Sequence, residues 1–178
     1  MEWHCEPPAW TDDNGVITVT TAHGSDFWRM THYGFVRDNG HFYFDRLAGD
    51  FVAEVKVTGA YAALYDQAGL MVRLDEANWI KTGIEYVDGV QQISAVVTRD
   101  YSDWSIVPAP QNPPSLWLRL TRQGDTVEIH TSFDGQTFTM RRLAWFPPAQ
   151  TVQVGIMACS PDGPGFTARF EDFSVRPQ

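Results

Sequence analysis

The sequence predicts an all-β protein, a two-sheet antiparallel jelly-roll sandwich with minimal helix, and three observations carry that expectation. Turn formers recur along the chain as Asn14-Gly15, Asn39-Gly40, Asp88-Gly89, Asp134-Gly135 and Asp162-Gly163, pairs that tolerate positive φ and permit hairpins. Between them lie short runs rich in Val, Ile, Thr, Tyr, Phe and Trp, several of which alternate apolar with polar residues. No window sustains an apolar stripe at helical spacing over three turns, which leaves strands packed on strands rather than an α/β arrangement.

Taken in order, strands are expected at 16–21 and 41–45, after Asn14-Gly15 and Asn39-Gly40, and then at 50–58. The central runs 68–74 and 79–86 follow, and 91–98 comes after Asp88-Gly89. The second half supplies 116–121, 126–132, 137–142 after Asp134-Gly135, 152–159, and 166–175 after Asp162-Gly163. Prolines make loops of 107–114 and 147–148, and the whole segment 101–114, with Trp104 and four prolines, reads as a semi-rigid loop that walls, gates or caps its neighbouring surface.

Alternation with period two sorts the central strands into faces. Leu70, Val72 and Leu74 belong to a core face, and Gly69, Met71 and Arg73 to the other. The next strand repeats the division, with Ile80, Thr82, Ile84 and Tyr86 on one side and Trp79, Lys81, Gly83 and Glu85 on the other. Leu116, Leu118 and Leu120 point inward while Trp117 and Arg119 point outward. The strand 91–98 splits Ile93, Ala95 and Val97 from Ser94, Val96 and Thr98, with the weakest contrast of the set.

Length fits one domain spanning 1–178. Thirteen Lys and Arg stand against 22 Asp and Glu, a formal net charge of −9, so counterion release cannot drive binding to a phosphate backbone. Nucleic acid and membrane surfaces are therefore not expected as partners. No apolar run of spanning length exists, and the opening Met1-Glu2-Trp3-His4-Cys5 lacks the basic and apolar regions of a leader, so a complete chain of this kind is expected in the cytoplasm. Cys5 and Cys159 are too few for a disulfide framework and are expected as two reduced thiols. His4, His23, His32, His41 and His130 lack zinc spacing, and Asp12-Asp13-Asn14-Gly15 offers too few ligands for calcium and reads as a plain turn. Neither a metal nor a cofactor is expected.

The run from Tyr65-Asp66-Gln67-Ala68-Gly69 through Asp75, followed by Asn78-Trp79-Ile80-Lys81-Thr82-Gly83-Ile84-Glu85-Tyr86, resembles the regulation-of-enolase family, domains of unknown function in the concanavalin A-like lectin and glucanase superfamily. Asp26-Phe27-Trp28-Arg29, Ser102-Asp103-Trp104-Ser105, Trp117-Leu118-Arg119 and Ser132-Phe133-Asp134-Gly135 extend the resemblance across most of the chain. It implies two bent antiparallel sheets, one of them presenting a concave groove, and in the wider superfamily that groove commonly holds carbohydrate.

The polar set Trp28, Gln67, Arg73, Trp79, Lys81, Glu85, Asp103, Trp104, Trp117 and Arg119 is the candidate ligand-binding surface. Sugars need such a mixture: the C–H face of a pyranose stacks on an aromatic ring while its hydroxyls bond to charged groups. Gly69 and Gly83 make room there for a ligand or for a neighbouring backbone. The competing structural reading is a cross-strand charge ladder of Arg73, Lys81 and Glu85 covered by tryptophans. Retaining glycosidases of the superfamily typically display their carboxylates, about 5 Å apart, in a Glu-x-Asp-x-x-Glu run, and this chain has none. The expected function is thus a noncatalytic, lectin-like domain for carbohydrate or another small polar ligand. Two alternatives stand beside it: a sugar-active enzyme with Glu85 and Asp103 as acid and base, and a regulatory module with a protein partner.

Overall fold

The structure, a computed structural model, describes residues 1–109 and 111–178. Its strands are β1 (Glu2–His4), β2 (Ala9–Asp13), β3 (Val16–Thr20), β4 (Phe27–Arg29), β5 (Val36–Asp38), β6 (His41–Ala48), β7 (Phe51–Gly59) and β8 (Gln67–Asp75). They continue as β9 (Asn78–Val87), β10 (Val90–Arg99), β11 (Tyr101–Pro108), β12 (Leu116–Gln123), β13 (Thr126–Ser132), β14 (Thr139–Trp145), β15 (Thr151–Cys159) and β16 (Thr167–Pro177). Among the described residues there is no helix.

Two seven-stranded antiparallel sheets form the sandwich. The first runs β1-β6-β15-β8-β9-β10-β11 and the second β14-β13-β12-β7-β16-β3-β2. The main core lies between them, where Leu70, Val72, Ile80 and Ile84 of the first sheet join Val55, Leu116, Leu118 and Leu120 of the second in one buried cluster. Hairpin chemistry fixes the registers: Asp88 and Gly89, at φ 51° and 82°, turn β9 into β10 so that Val87 faces Val90.

A third, smaller layer covers the outer face of the first sheet. Strands β4 and β5 pair with each other as a short roof, and a second apolar cluster, including Phe27, Phe42, Met71, Trp79, Val96 and Met157, fills the space beneath it. This layer explains why the contrast along β10 is weak in sequence: Ile93, Ala95 and Val97 face the main core while Val96 faces the roof, so both sides of the strand are buried.

Three expectations need correction. The segment 101–108 is a strand, not a loop; β11 is the sheet edge, where Pro108 costs no ladder bond, and Pro110 lies outside the described residues. Two of the turn pairs form no hairpin: Asp162-Gly163 joins β15 and β16 of different sheets, and Asn39-Gly40 joins the roof to β6, where glycine is required at position 40 because a Cβ there would stand 2.3 Å from the Phe27 ring and 2.6 Å from Cys159 Sγ. The stretch 22–40, without a strand in the sequence reading, supplies the roof.

Candidate ligand pocket

The roof converts an open face into a pocket. Lys81 Nζ donates to the Phe27 carbonyl at 2.6 Å and lies 3.4 Å from Asp26 Oδ1, which itself accepts from the Phe27 amide at 2.8 Å. Arg29 N donates to Ser102 Oγ at 2.9 Å, and Arg73 reaches Asp38 Oδ2 at 2.8 Å. These bonds seal one half of the concave face. Over the other half remains a cavity of about 150 Å³, open to solvent past the exposed Tyr33 and Asp162.

Its floor is polar. Gln67 from β8 and Lys81 and Glu85 from β9 are all buried, and alternation brings them onto one face because Gln67 pairs in register with Glu85. Glu85 Oε2 accepts from Ser94 Oγ at 2.6 Å and from Trp104 Nε1 at 2.8 Å. Burial pushes its carboxyl above the ordinary glutamate range; Lys81, Ser94 and Trp104 pull it back without cancelling that effect. A smaller cavity of about 10 Å³, enough for one water, lies over Gly83 between Lys81, Glu85 and Met157.

The walls are aromatic. Trp28, Tyr33 and Phe35 come from the roof, Tyr65 from the turn before β8, and Trp104 from β11. Trp28 Nε1 donates to the Thr31 carbonyl at 2.8 Å, Tyr33 stacks on Phe35 at 5.3 Å, and Tyr65 meets Trp104 edge-on at 6.2 Å. The Tyr33 and Tyr65 hydroxyls share a hydrogen bond of 3.1 Å. That bond, with burial second, pushes the Tyr65 phenol up to about 12.

The structure thus gathers Trp28, Gln67, Lys81, Glu85 and Trp104 of the candidate set around one cavity. It does not bring the others there. Arg73 is held by Asp38 and Gln153 under the roof, and Trp79, 1% exposed, is packed into the second cluster with its indole donating to the Glu76 carbonyl. Asp103 pairs in register with Val97, a core-facing residue, so it points away from Trp104; it is exposed and meets Arg142 of the second sheet at 3.4 Å. The expected Glu85 and Asp103 acid and base pair is therefore not assembled. Trp117 and Arg119 stand on the outer side of the second sheet, Trp117 under Lys56 and Arg119 paired with Glu54 at 3.3 Å. Alternation gave them the correct face of their own strand, but not which sheet that strand joins.

Tyr33, Phe35, Arg37, Tyr65 and Asp162 were absent from the candidate set. Tyr65 opens the run that carries the family resemblance and Asp26 opens another, which was the available signal. Tyr33 and Phe35 sit in a loop where Met30, His32 and Gly34 take φ of 60°, 64° and 72°, a path that strand periodicity does not register. Cys5 and Cys159 are both free, the first exposed and the second buried.

Two seven-stranded antiparallel sheets packed face to face give the chain a concanavalin A-like jelly-roll fold. The chain belongs to the family described as a protein of unknown function (DUF1349), whose profile matches residues 3–178. It is 41% identical over 173 residues to "Regulation of enolase protein 1" of Saccharomyces cerevisiae, covering 97% of this chain and 87% of that protein. A crystal structure of a functionally unknown Saccharomyces cerevisiae protein superposes with a TM-score of 0.96 at 40% identity, over 99% of this chain and 96% of that one. More distant likenesses show the fold alone. The GH43 protein BlXynB of Bacillus licheniformis gives a TM-score of 0.70 at 17% identity, covering 97% of this chain and 36% of that chain. The carbohydrate-binding module CBM66 of Bacillus subtilis gives 0.61 at 15%, covering 98% and 94%.

Proposed function

We propose that the chain is a noncatalytic sugar-binding domain whose ligand enters the pocket between the roof and β8–β9. The observation that carries this reading is the junction of five aromatic walls with a floor of buried Gln67, Lys81 and Glu85 in one cavity. Rings supply stacking faces for the C–H side of a pyranose, and the floor supplies donors and acceptors for its hydroxyls. A cavity near 150 Å³ admits about one six-membered ring, so the natural unit is a single sugar residue rather than an extended chain. The carbohydrate-binding module among the distant likenesses supports the reading. So does the state of the carboxyls there: the expected partner of Glu85, Asp103, faces elsewhere, and Asp26, which also lines the cavity, is tied to Lys81.

Thermal shift across a panel of neutral and acidic saccharides tests it. Ligand at a hundredfold excess over Kd stabilises by about 2.7 kcal/mol, which for a chain of this size is a rise of roughly 5–11 °C. Trp28→Ala is expected to abolish that rise. No hit anywhere on the panel, or hits indifferent to Trp28→Ala, would overturn the proposal.

A second reading, a regulatory protein-binding module, draws on the roof hairpin, where Met30, Tyr33 and Val36 are 38%, 48% and 47% exposed, and on the name of the yeast relative. Pull-down with and without saccharide separates the two: a partner displaced by sugar uses the pocket mouth, and one retained uses another surface.

A further inference from the structure

We propose that the ligand carries an anionic group, a carboxylate or phosphate on a ring-sized polyol, and that Arg37 at the pocket mouth receives it; this rests on the sugar-binding reading above. Arg37 stands in β5, within the roof, and lines the cavity. Among the described residues it pairs with no carboxylate. Asp26 is committed to Lys81 and Asp38 to Arg73, while Asp162, the acid at the rim, makes no ion pair.

The bonds Arg37 does make leave its donors available. A single long donation of 3.4 Å runs to the Gly24 carbonyl, and the guanidinium carbon lies 4.9 Å from the Phe35 ring centroid. A guanidinium presents five donors in a fixed fork, which matches two oxygens of a carboxylate or phosphate at once. A ring beneath that fork limits its freedom before any ligand arrives, so less entropy is lost on pairing. Charge on the floor is already matched, since Lys81 faces Asp26. Glu85, whose carboxyl pKa burial raises, is buried in the floor with Ser94 and Trp104 already donating to it. In a chain of formal charge −9, acids are in excess, and an arginine at a pocket mouth that forms an ion pair with none of them among the described residues, although Asp162 lines the same cavity, fits an acid supplied from outside.

Isothermal titration with three matched series tests the inference: neutral hexoses, their uronic acids and their 6-phosphates, each at low and high salt. At least one acidic member is expected to bind about tenfold tighter than its neutral parent, with the gap narrowing at high salt. The uronate and phosphate arms show which anion is preferred. Arg37→Gln is expected to bring the acidic-to-neutral ratio near one, and Arg37→Lys to retain part of it. Arg99→Gln serves as control, because Arg99 also pairs with no carboxylate among the described residues but lies over Trp145, away from the cavity. Neutral parents binding as tightly as the acids, or a ratio that survives Arg37→Gln in a variant melting like the wild type, would overturn the inference. That result leaves the sugar-binding reading standing, whereas silence from all three series removes both.

Discussion

Lys81 is the tie between roof and floor, and Lys81→Met measures what the tie is worth. The lysine side chain is 4% exposed and that of Asp26 11%. Its ammonium satisfies both the Asp26 carboxylate and the Phe27 carbonyl. Methionine keeps the volume, so no cavity term enters, but it leaves a buried carboxylate and a buried carbonyl each short of a partner. Breaking a buried pair in this way costs about 3–5 kcal/mol. Asp26 keeps the Phe27 amide at 2.8 Å and lies beside a cavity that water can enter, which favours the lower end of that range. The expected loss is about 3 kcal/mol, or roughly 6–12 °C in melting temperature for a chain of this length. Urea denaturation of Lys81→Met, Asp26→Asn and the double variant forms a cycle, and the double variant is expected to lose less than the sum of the singles by about 1–2 kcal/mol. Additive singles, or a Lys81→Met variant within about 0.5 kcal/mol of the wild type, would refute the reasoning.

Gly83→Ala is expected to destabilise by about 3 kcal/mol in the same assay, because its Cβ would stand 2.0 Å from Ala68 O and 2.8 Å from Gly69 Cα, backbone atoms that cannot turn aside; a neutral result would assign the glycine to ligand room instead. Glu85→Gln should remove one contribution to the pH dependence of stability. With its folded pKa raised, native Glu85 holds more protons than the unfolded chain, so its contribution is full below the ordinary value of 4.5 and is lost as pH rises through the raised one. The variant should therefore gain on the wild type as pH rises from 4.5 through the raised value in denaturation series, and a constant difference would contradict the assigned burial cost. Arg119→Gln, which breaks the partly exposed pair with Glu54, should cost under about 1 kcal/mol and leave saccharide affinity unchanged; a tenfold loss of affinity would place a site on the second sheet.

The sequence disclosed the layers more fully than the site. Strict alternation in β8, β9 and β12 assigned Leu70, Val72, Ile80, Ile84, Leu118 and Leu120 to the core, where the structure has them. The same periodicity placed Lys81 and Glu85 on one face, and the structure adds Gln67, which pairs in register with Glu85. What alternation cannot report is a third layer. Trp79 and Arg73 look like groove residues until the three-residue strands β4 and β5, too short for any periodic signal, are seen to cover them. Nor does facing outward say outward from which sheet: Trp117 and Arg119 have the correct polarity on β12 and sit across the sandwich from the pocket. Asp103 and Trp104, adjacent in one supposed loop, separate to opposite faces once 101–108 is a strand.

Indole resonances offer the most direct check, because the chain's seven tryptophans mark different surfaces and each Nε1–H gives its own signal in a two-dimensional NMR spectrum. Titration with a saccharide hit from the thermal-shift panel should move the Trp28 and Trp104 peaks while Trp117 and Trp145 stay fixed. Movement confined to Trp117 or Trp145, or binding that leaves Trp28 and Trp104 untouched, would put the ligand somewhere other than the roofed cavity.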